Sequence, residues 1–228
     1  MKPKPSCSIA ARCRTARGAE RVRQLQQTAA DMFLSCGYEG VSVDGLIHRV
    51  GGSRRNVWSV YGGKPGLFEA AVNGLCEEIS VELALLPMDG ADMREGLLLY
   101  GRCLLKMVLQ PRMLAMHRLM VSEGGRFPEQ ARSMSNTGRE NAAVSLGRWL
   151  SGHQERGLLR AGLDTVELAH QFFHLVAGAP QLRALIGELP PGWTDEGIAS
   201  HVSSAVDLFL HGAATPQDPQ PAQREQRP

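Results

Sequence analysis

From Ser53 to Lys64 the chain reads Ser-Arg-Arg-Asn-Val-Trp-Ser-Val-Tyr-Gly-Gly-Lys, an unusual density of hydrogen-bond donors for so short a stretch. The chemistry these types offer is recognition rather than bond-breaking. An arginine fork donates two hydrogen bonds to guanine O6 and N7, and asparagine pairs with adenine N6 and N7. Hydroxyls, backbone N–H groups and lysine hold phosphates. Other candidate sites are poorer. His170 and His174 have the i, i+4 spacing of zinc-binding helices, but Gln171 stands where the general base of that motif belongs, so packing is expected and no metal site. Gly62-Gly63-Lys64 ends like a phosphate loop, yet Trp58 occupies the place of its leading glycine, Pro65 that of its hydroxyl residue, and no strand precedes it. With no GxSxG or GxGxxG after a strand and no carboxylate pair, neither an enzyme nor a cofactor is expected. The five cysteines are odd in number and lack a CxxC pair, which predicts reduced thiols; Cys103 would serve as a thiol sensor only with a depressed pKa.

Positioning that donor-rich stretch requires helices. Apolar residues at Val22, Leu25, Ala29, Met32, Phe33 and Cys36 form one helical stripe that Gly37 should stop. Ser42 stands as an N-cap before a two-turn helix carrying Val43, Leu46, Ile47 and Val50, ended by Gly51-Gly52. Ser53 caps the next short helix, which holds Val57 and Tyr61 inward and turns Arg54, Arg55, Asn56, Trp58 and Ser59 outward. Two short helices across a glycine turn form a helix-turn-helix, whose second member enters the major groove. Lys64 and Pro65 open a fourth helix reaching Pro87. Further helices are predicted over Leu97–Leu109, Arg112–Glu123, Pro128–Arg156, Asp164–Gly178 (broken at Pro180) and Thr194–His211. No strand pattern survives, so the fold class is all-α.

At 228 residues, with 43% hydrophobic and 21% charged residues, a mainly disordered chain is excluded. No window approaches a membrane span, and the N-terminal stretch lacks the apolar run of a secretion signal, so a cytoplasmic protein without membrane attachment is expected. The formal charge of +2 hides an asymmetry. Residues 1–64 carry 11 Lys/Arg against 4 Asp/Glu, a net +7, and the remainder is net −5. Such segregation points to a polyanion partner for the N-terminal part, nucleic acid or an acidic membrane surface. The expected division is a flexible basic arm (1–18), a three-helix helix-turn-helix domain (19–65), a C-terminal helical domain (66–212) and a disordered tail (213–228).

The order Leu25-Gln26-Gln27-Thr28-Ala29-Ala30-Asp31-Met32-Phe33, Gly37-Tyr38, Val41-Ser42-Val43, Leu46-Ile47, Val50-Gly51-Gly52-Ser53, Val57-Trp58, Tyr61 and Lys64 resembles the DNA-binding domain of TetR/AcrR-family transcriptional regulators. Met113–Leu119, Ser122-Glu123, Arg126-Phe127-Pro128-Glu129 and Gly157-Leu158-Leu159-Arg160 resemble the C-terminal domain of the AefR-like branch. The resemblance implies a homodimeric regulator, a repressor released from a palindromic operator in double-stranded DNA by an unknown small-molecule effector. DNA contacts are expected from Ser42, Ser53, Arg54, Arg55, Asn56, Trp58, Ser59, Tyr61 and Lys64. Trp58 stands where the family has Tyr, Arg55 where it has a small residue, Gly52 where it has an apolar one and Tyr61 where it has Phe; Arg55 suggests an individual base preference. The last two helices imply a dimer seam at Leu168, Phe172, Leu175, Val176, Val202, Val206 and Phe209, or else these side chains are internal core. The Met-rich stretch with Met107, Met113, Met116, Met120 and Met134 suits either an adaptable cavity or a plain core. Met107, His117, Met120, Trp149 and Phe173 are the candidate effector lining. The rival reading is a basic helical module for a membrane surface or a protein partner.

Overall fold

The computed structural model describes residues 16–88, 90–129, 132, 136–188 and 193–213. The expected basic arm up to residue 15, Met134 and the tail from residue 214 lie outside them. The described residues are all-α, with no β-strand among them.

The first helix, α1 (Ala16–Gly40), loses helical geometry at Gly37, where φ is 70°, as its apolar stripe predicts. Next, α2 (Val43–Val50) starts at Ser42, whose Oγ accepts the Gly45 N–H at 3.0 Å, and α3 (Arg54–Tyr61) starts at Ser53, whose Oγ accepts the Asn56 N–H at 3.3 Å. The turn between them has positive φ at both Gly51 (75°) and Gly52 (126°), a path that L side chains rarely take. The glycine standing where the family has an apolar residue is therefore used by the backbone.

Each of these helices has eight residues, too few to be stable in isolation. Each also buries a single residue fully, Leu46 in α2 and Val57 in α3. One such burial contributes about 1.5–3 kcal/mol, so a serine cap worth roughly 1 kcal/mol is a large share of what holds each helix. Backbone contact adds to it. In the first turn of α4 (Lys64–Ala84), Gly66 approaches the end of α3 so closely that a β-carbon there would stand 1.9 Å from the Tyr61 carbonyl oxygen.

The remaining helices are α5 (Met93–Val108), α6 (Pro111–Glu123), α7 (Asn141–Glu155), α8 (Thr165–Leu185) and α9 (Asp195–Ala213). Two differ from the sequence reading. Residues 128, 129 and 132 are helical, as expected of a helix starting at Pro128, but the single run to Arg156 is interrupted by a π-helical turn, Asn136–Glu140, before α7. The turn sets Gly138 against Cys76 of α4, a β-carbon position 3.1 Å from Cys76 Cβ. In the second case, α8 does not break at Pro180 but runs through it. A proline leaves the carbonyl four residues earlier without its helical donor. Here that carbonyl belongs to Val176, and His201 Nε2 of α9 donates to it at 2.9 Å.

Two apolar cores result. One joins Leu25, Ala29 and Phe33 of α1 with Leu46, Val57 and the first half of α4, and takes in Met113, Met116 and Met120 of α6. The other joins α5, α7, α8 and α9. The proposed dimer residues fall in this second core. Leu168, Phe172, Val176, Val202, Val206 and Phe209 are buried within one chain, and Leu175 packs against them. The reason is supply: α5 and α7 of the same chain already cover those stripes, with Gly101 letting Val202 approach α5 closely. The outward sides of α8, with its capping residue Ile186, and of α9 include Ala179, Leu182 and Ile186 on one and Ser200, Ser204 and Leu208 on the other.

Candidate functional site

Two serine caps and the Gly66 contact hold α3 with most of its polar face outward. Arg54, Arg55, Asn56, Trp58 and Ser59 are all exposed, Trp58 at 64%. Arg55 meets no acidic partner among the described residues. The Trp58 ring leans over Gly63, within 3.3 Å of where a β-carbon would lie. Ser59 Oγ donates to the Asn56 carbonyl at 3.0 Å. Ser42 and Ser53 accept backbone N–H groups and keep their own O–H to donate, the arrangement a phosphate at a helix start needs.

Three of the expected DNA residues stand differently. Tyr61 lies i, i+4 from Val57 on the inward stripe, packs on the N-terminal core and has its phenol oxygen shielded from solvent, so it is not on the outward face. Arg54 is clasped side-on by the Asp44 carboxylate of α2. That contact holds the Asp44 carboxyl below the usual carboxylate range. Lys64 points at the end of α1, 3.4 Å from the Glu39 carbonyl, 3.7 Å from its carboxylate and 4.3 Å above the Tyr38 ring. Arg126 binds the same Glu39 carboxylate, and the two cations keep it ionised. A DNA phosphate would compete with Glu39 for Lys64.

The placement of Asp44, Glu39 and Arg126 beside these residues is not legible in the sequence, nor is that of Arg21, whose guanidinium reaches within 3.1 Å of a β-carbon position on Gly51 at the turn. Only the folded chain brings these residues together, since they lie 10 to 87 positions from their partners.

A cavity of about 130 Å³ lies between α4, α5, α6, the π-helical turn, α7 and α8. Of the five expected lining residues it contains two, His117 and Phe173. Met107 is buried in the C-terminal core, and Met120 in the N-terminal one. Trp149 faces a separate hollow beside Leu86 and Tyr100, its indole N–H donating to the Met88 carbonyl at 3.0 Å. These three lie away from this cavity, because a helix of mixed apolar residues does not say which face meets a void. The cavity's remaining walls include Cys76, Leu104, Met113, Met116, Arg139 and Gln181.

His117 is the polar centre of this wall. Its Nδ1 lies 3.0 Å from the Met113 carbonyl and its Nε2 3.3 Å from Gln181 Nε2. Burial pushes its pKa below the usual imidazole range, against the pull of the Met113 carbonyl, and nearby Arg139 lowers it further. The neutral ring therefore donates from Nδ1 and accepts at Nε2. Burial pushes the Cys76 thiol up to about 12, and also raises Cys103. A thiolate sensor needs the opposite shift. His170 faces Glu140 at 3.3 Å, whereas His174 turns to the cavity, so the two rings engage different neighbours.

The helices that wall the cavity also touch the N-terminal helices. Met113 and Met116 belong both to its lining and to the N-terminal core. Arg112, at the start of α6, pairs with Asp31 of α1 at 2.7 Å.

Residues 95–212 match the family model described as the AefR-like transcriptional repressor, C-terminal domain. No curated protein matches the sequence significantly. Among solved structures, the fold is similar to that of a Mesorhizobium loti protein assigned to the TetR-family transcriptional regulators, at 23% identity and TM-score 0.74, covering 88% of this chain and 100% of that one. The flavonoid-responsive regulator FrrA is similar at 24% identity and TM-score 0.75, with 87% and 99% covered. A TetR transcriptional regulator from Agrobacterium tumefaciens is similar at 20% identity and TM-score 0.68, with 86% and 95% covered.

Proposed function

The chain belongs to the TetR family of transcriptional regulators, which are not enzymes, and from that premise we propose that it is a cytoplasmic homodimeric repressor released from a palindromic operator by a small effector. The observation that carries the DNA reading is the outward face of α3, with Arg55, Asn56 and Ser59 solvent-exposed on a helix whose start is capped by Ser53. In this reading residues 19–65 read DNA, with Ser42, Ser53, Trp58 and Lys64 on phosphates and Arg55 and Asn56 on bases. Residues 66–212 bind the effector and the second subunit.

The dimer seam is formed by the outward faces of α8 and α9. Leu182, Ile186 and Leu208 are each more than half exposed there, a cost that a second copy would remove. Effector entry acts through α6 and α4. Both line the cavity and both pack into the N-terminal core, so a ligand that favours one placement of these helices shifts the population of recognition-helix spacings.

Retention of genomic fragments in a gel shift tests the reading. Expected is sequence-selective binding whose affinity falls steeply with added salt. Equal binding to random DNA and to anionic vesicles would favour a membrane-surface module instead; no helix among the described residues is long and apolar enough to cross a membrane.

A further inference from the structure

We propose that the cavity takes a small aromatic monoanion, a benzoate-sized carboxylate, with its ring among Cys76, Met113, Met116 and Phe173 and its charge at Arg139. The proposal rests on the reading of this cavity as the effector site and names the chemical class that fits it.

Size comes first. The cavity holds about 130 Å³, and an engineered apolar cavity of about 150 Å³ accommodates benzene. One ring fits. The walls favour a ring over an alkyl chain. Phe173 and the two methionines line it together with the Cys76 thiol, whose sulfur sits 3.8 Å from Met116 Sδ. Polarizable sulfur makes favourable contacts at aromatic edges.

Charge selects the head group. The ionisable residues on the cavity wall are Arg139, His117, His174 and the neutral thiol of Cys76, with no aspartate or glutamate among them. From Gln130 to Arg139 the sequence carries two arginines and no acid. Glu140, next in the chain, faces His170 at 3.3 Å, and Arg139 has no acidic partner among the described residues. The hydrogen-bonding pattern agrees. Because the Met113 carbonyl can only accept, His117 must donate from Nδ1, which leaves Nε2 as an acceptor and obliges Gln181 to present its amide NH₂ there. The histidine's one acceptor is thereby used; the second N–H of Gln181 and the guanidinium of Arg139 remain as donors, with Gln181 Oε1 as an uncharged acceptor. A cation would meet the like charge of Arg139 and no carboxylate.

Isothermal titration of the full chain with benzoate, benzamide and benzylamine tests this. Benzoate should bind about threefold to tenfold tighter than its neutral near-isostere benzamide, the size of effect expected of a charge-assisted hydrogen bond to a solvent-exposed guanidinium, and benzylamine should bind weakest. Arg139→Gln should reduce benzoate to the level of benzamide and leave benzamide unchanged, while Arg139→Lys should keep the preference. A benzamide affinity equal to that of benzoate, a preference that survives Arg139→Gln, or no binding of any of the three at millimolar concentration would each overturn the proposal. The two readings fail separately. If benzoate binds with this charge dependence yet leaves the DNA complex intact in a gel shift, the ligand class stands and effector release falls. If some other molecule frees the DNA while benzoate does not bind, release stands and the ligand class falls.

Discussion

Replacing Gly66 with alanine asks whether backbone contact, rather than side-chain burial alone, sets where α3, the proposed DNA-reading helix, stands. A β-carbon at this position would lie 1.9 Å from the Tyr61 carbonyl oxygen and 3.0 Å from its carbonyl carbon. Ordinary contact begins near 3.4 Å, so the last turn of α3 would have to retreat by about 1.5 Å. Two effects oppose each other. Alanine is favoured over glycine within a helix by up to about 1 kcal/mol, and by less here because residue 66 lies in the first turn of α4. Overpacking costs about 1–3 kcal/mol when flexible side chains can give way, and here the obstacle is backbone. The clash therefore wins by about 2 kcal/mol, which for a chain of this size lowers the melting temperature by roughly 4–8 °C. DNA binding should suffer beyond that loss. A displacement of this size breaks the geometry of a bidentate base contact worth about 1–3 kcal/mol, so the operator affinity of the folded protein should drop about tenfold to a hundredfold. Calorimetric melting and a gel shift at one salt concentration give the two numbers. An unchanged or higher melting temperature together with unchanged operator binding would refute the claim that this contact positions α3.

Arg55→Ala should relax selection at one base position, at a cost of about 1–3 kcal/mol, in a selection from random DNA; an unchanged profile would show that Arg55 reads no base. Asp44→Asn releases Arg54 from its clasp, and the plot of log affinity against log salt should steepen by about 0.9 as one more phosphate is neutralised; an unchanged slope would mean that Arg54 stays off the DNA. Leu182→Asp should yield folded monomers in light scattering, whereas Phe172→Asp should unfold the chain, because one residue is exposed and the other is fully buried. A folded Phe172→Asp monomer would restore the seam first expected. For His117 the sign follows from its lowered pKa. Below the ordinary value of 6.5 the unfolded chain takes up a proton that the folded chain resists, so stability falls as pH drops through that window and is flat above it. Urea midpoints at about pH 7.5 and pH 5.5 should differ less in His117→Gln than in the unaltered protein; an equal difference in both would place the pH dependence elsewhere.

The readable parts of this protein were those governed by local rules. Serine caps, glycine stops and apolar stripes locate α1 to α4, and the inward position of Val57 turns the donors at 54–59 outward. The sequence also carried the clue that Tyr61 shares the stripe of Val57, and its chemistry as a phenol was the weaker guide. The illegible parts were decided by neighbours distant in sequence. Whether Phe172 or Leu182 faces a second subunit depends on where α5 and α7 lie, and both stripes of α8 are apolar enough for either role. The cavity wall combines residues of α4, α6 and α8 with Arg139 in a π-helical turn, and no periodicity announces such a set. The break expected at Pro180 does not occur, because a proline ends a helix only where the freed carbonyl finds no other donor, and His201 supplies one.

That donor ties two helices together at the weakest point of one of them. The Val176 carbonyl is enclosed in a fully buried residue, and the His201 imidazole supplies the proton that the α8 backbone cannot. Sliding α9 along α8 would strand that oxygen in an apolar interior, which costs about 1–3 kcal/mol before any other contact is lost. The last two helices should therefore travel as a single plate. Whatever motion a ligand excites must be taken up in the levers beside it, α4 and α6, and not within the plate itself.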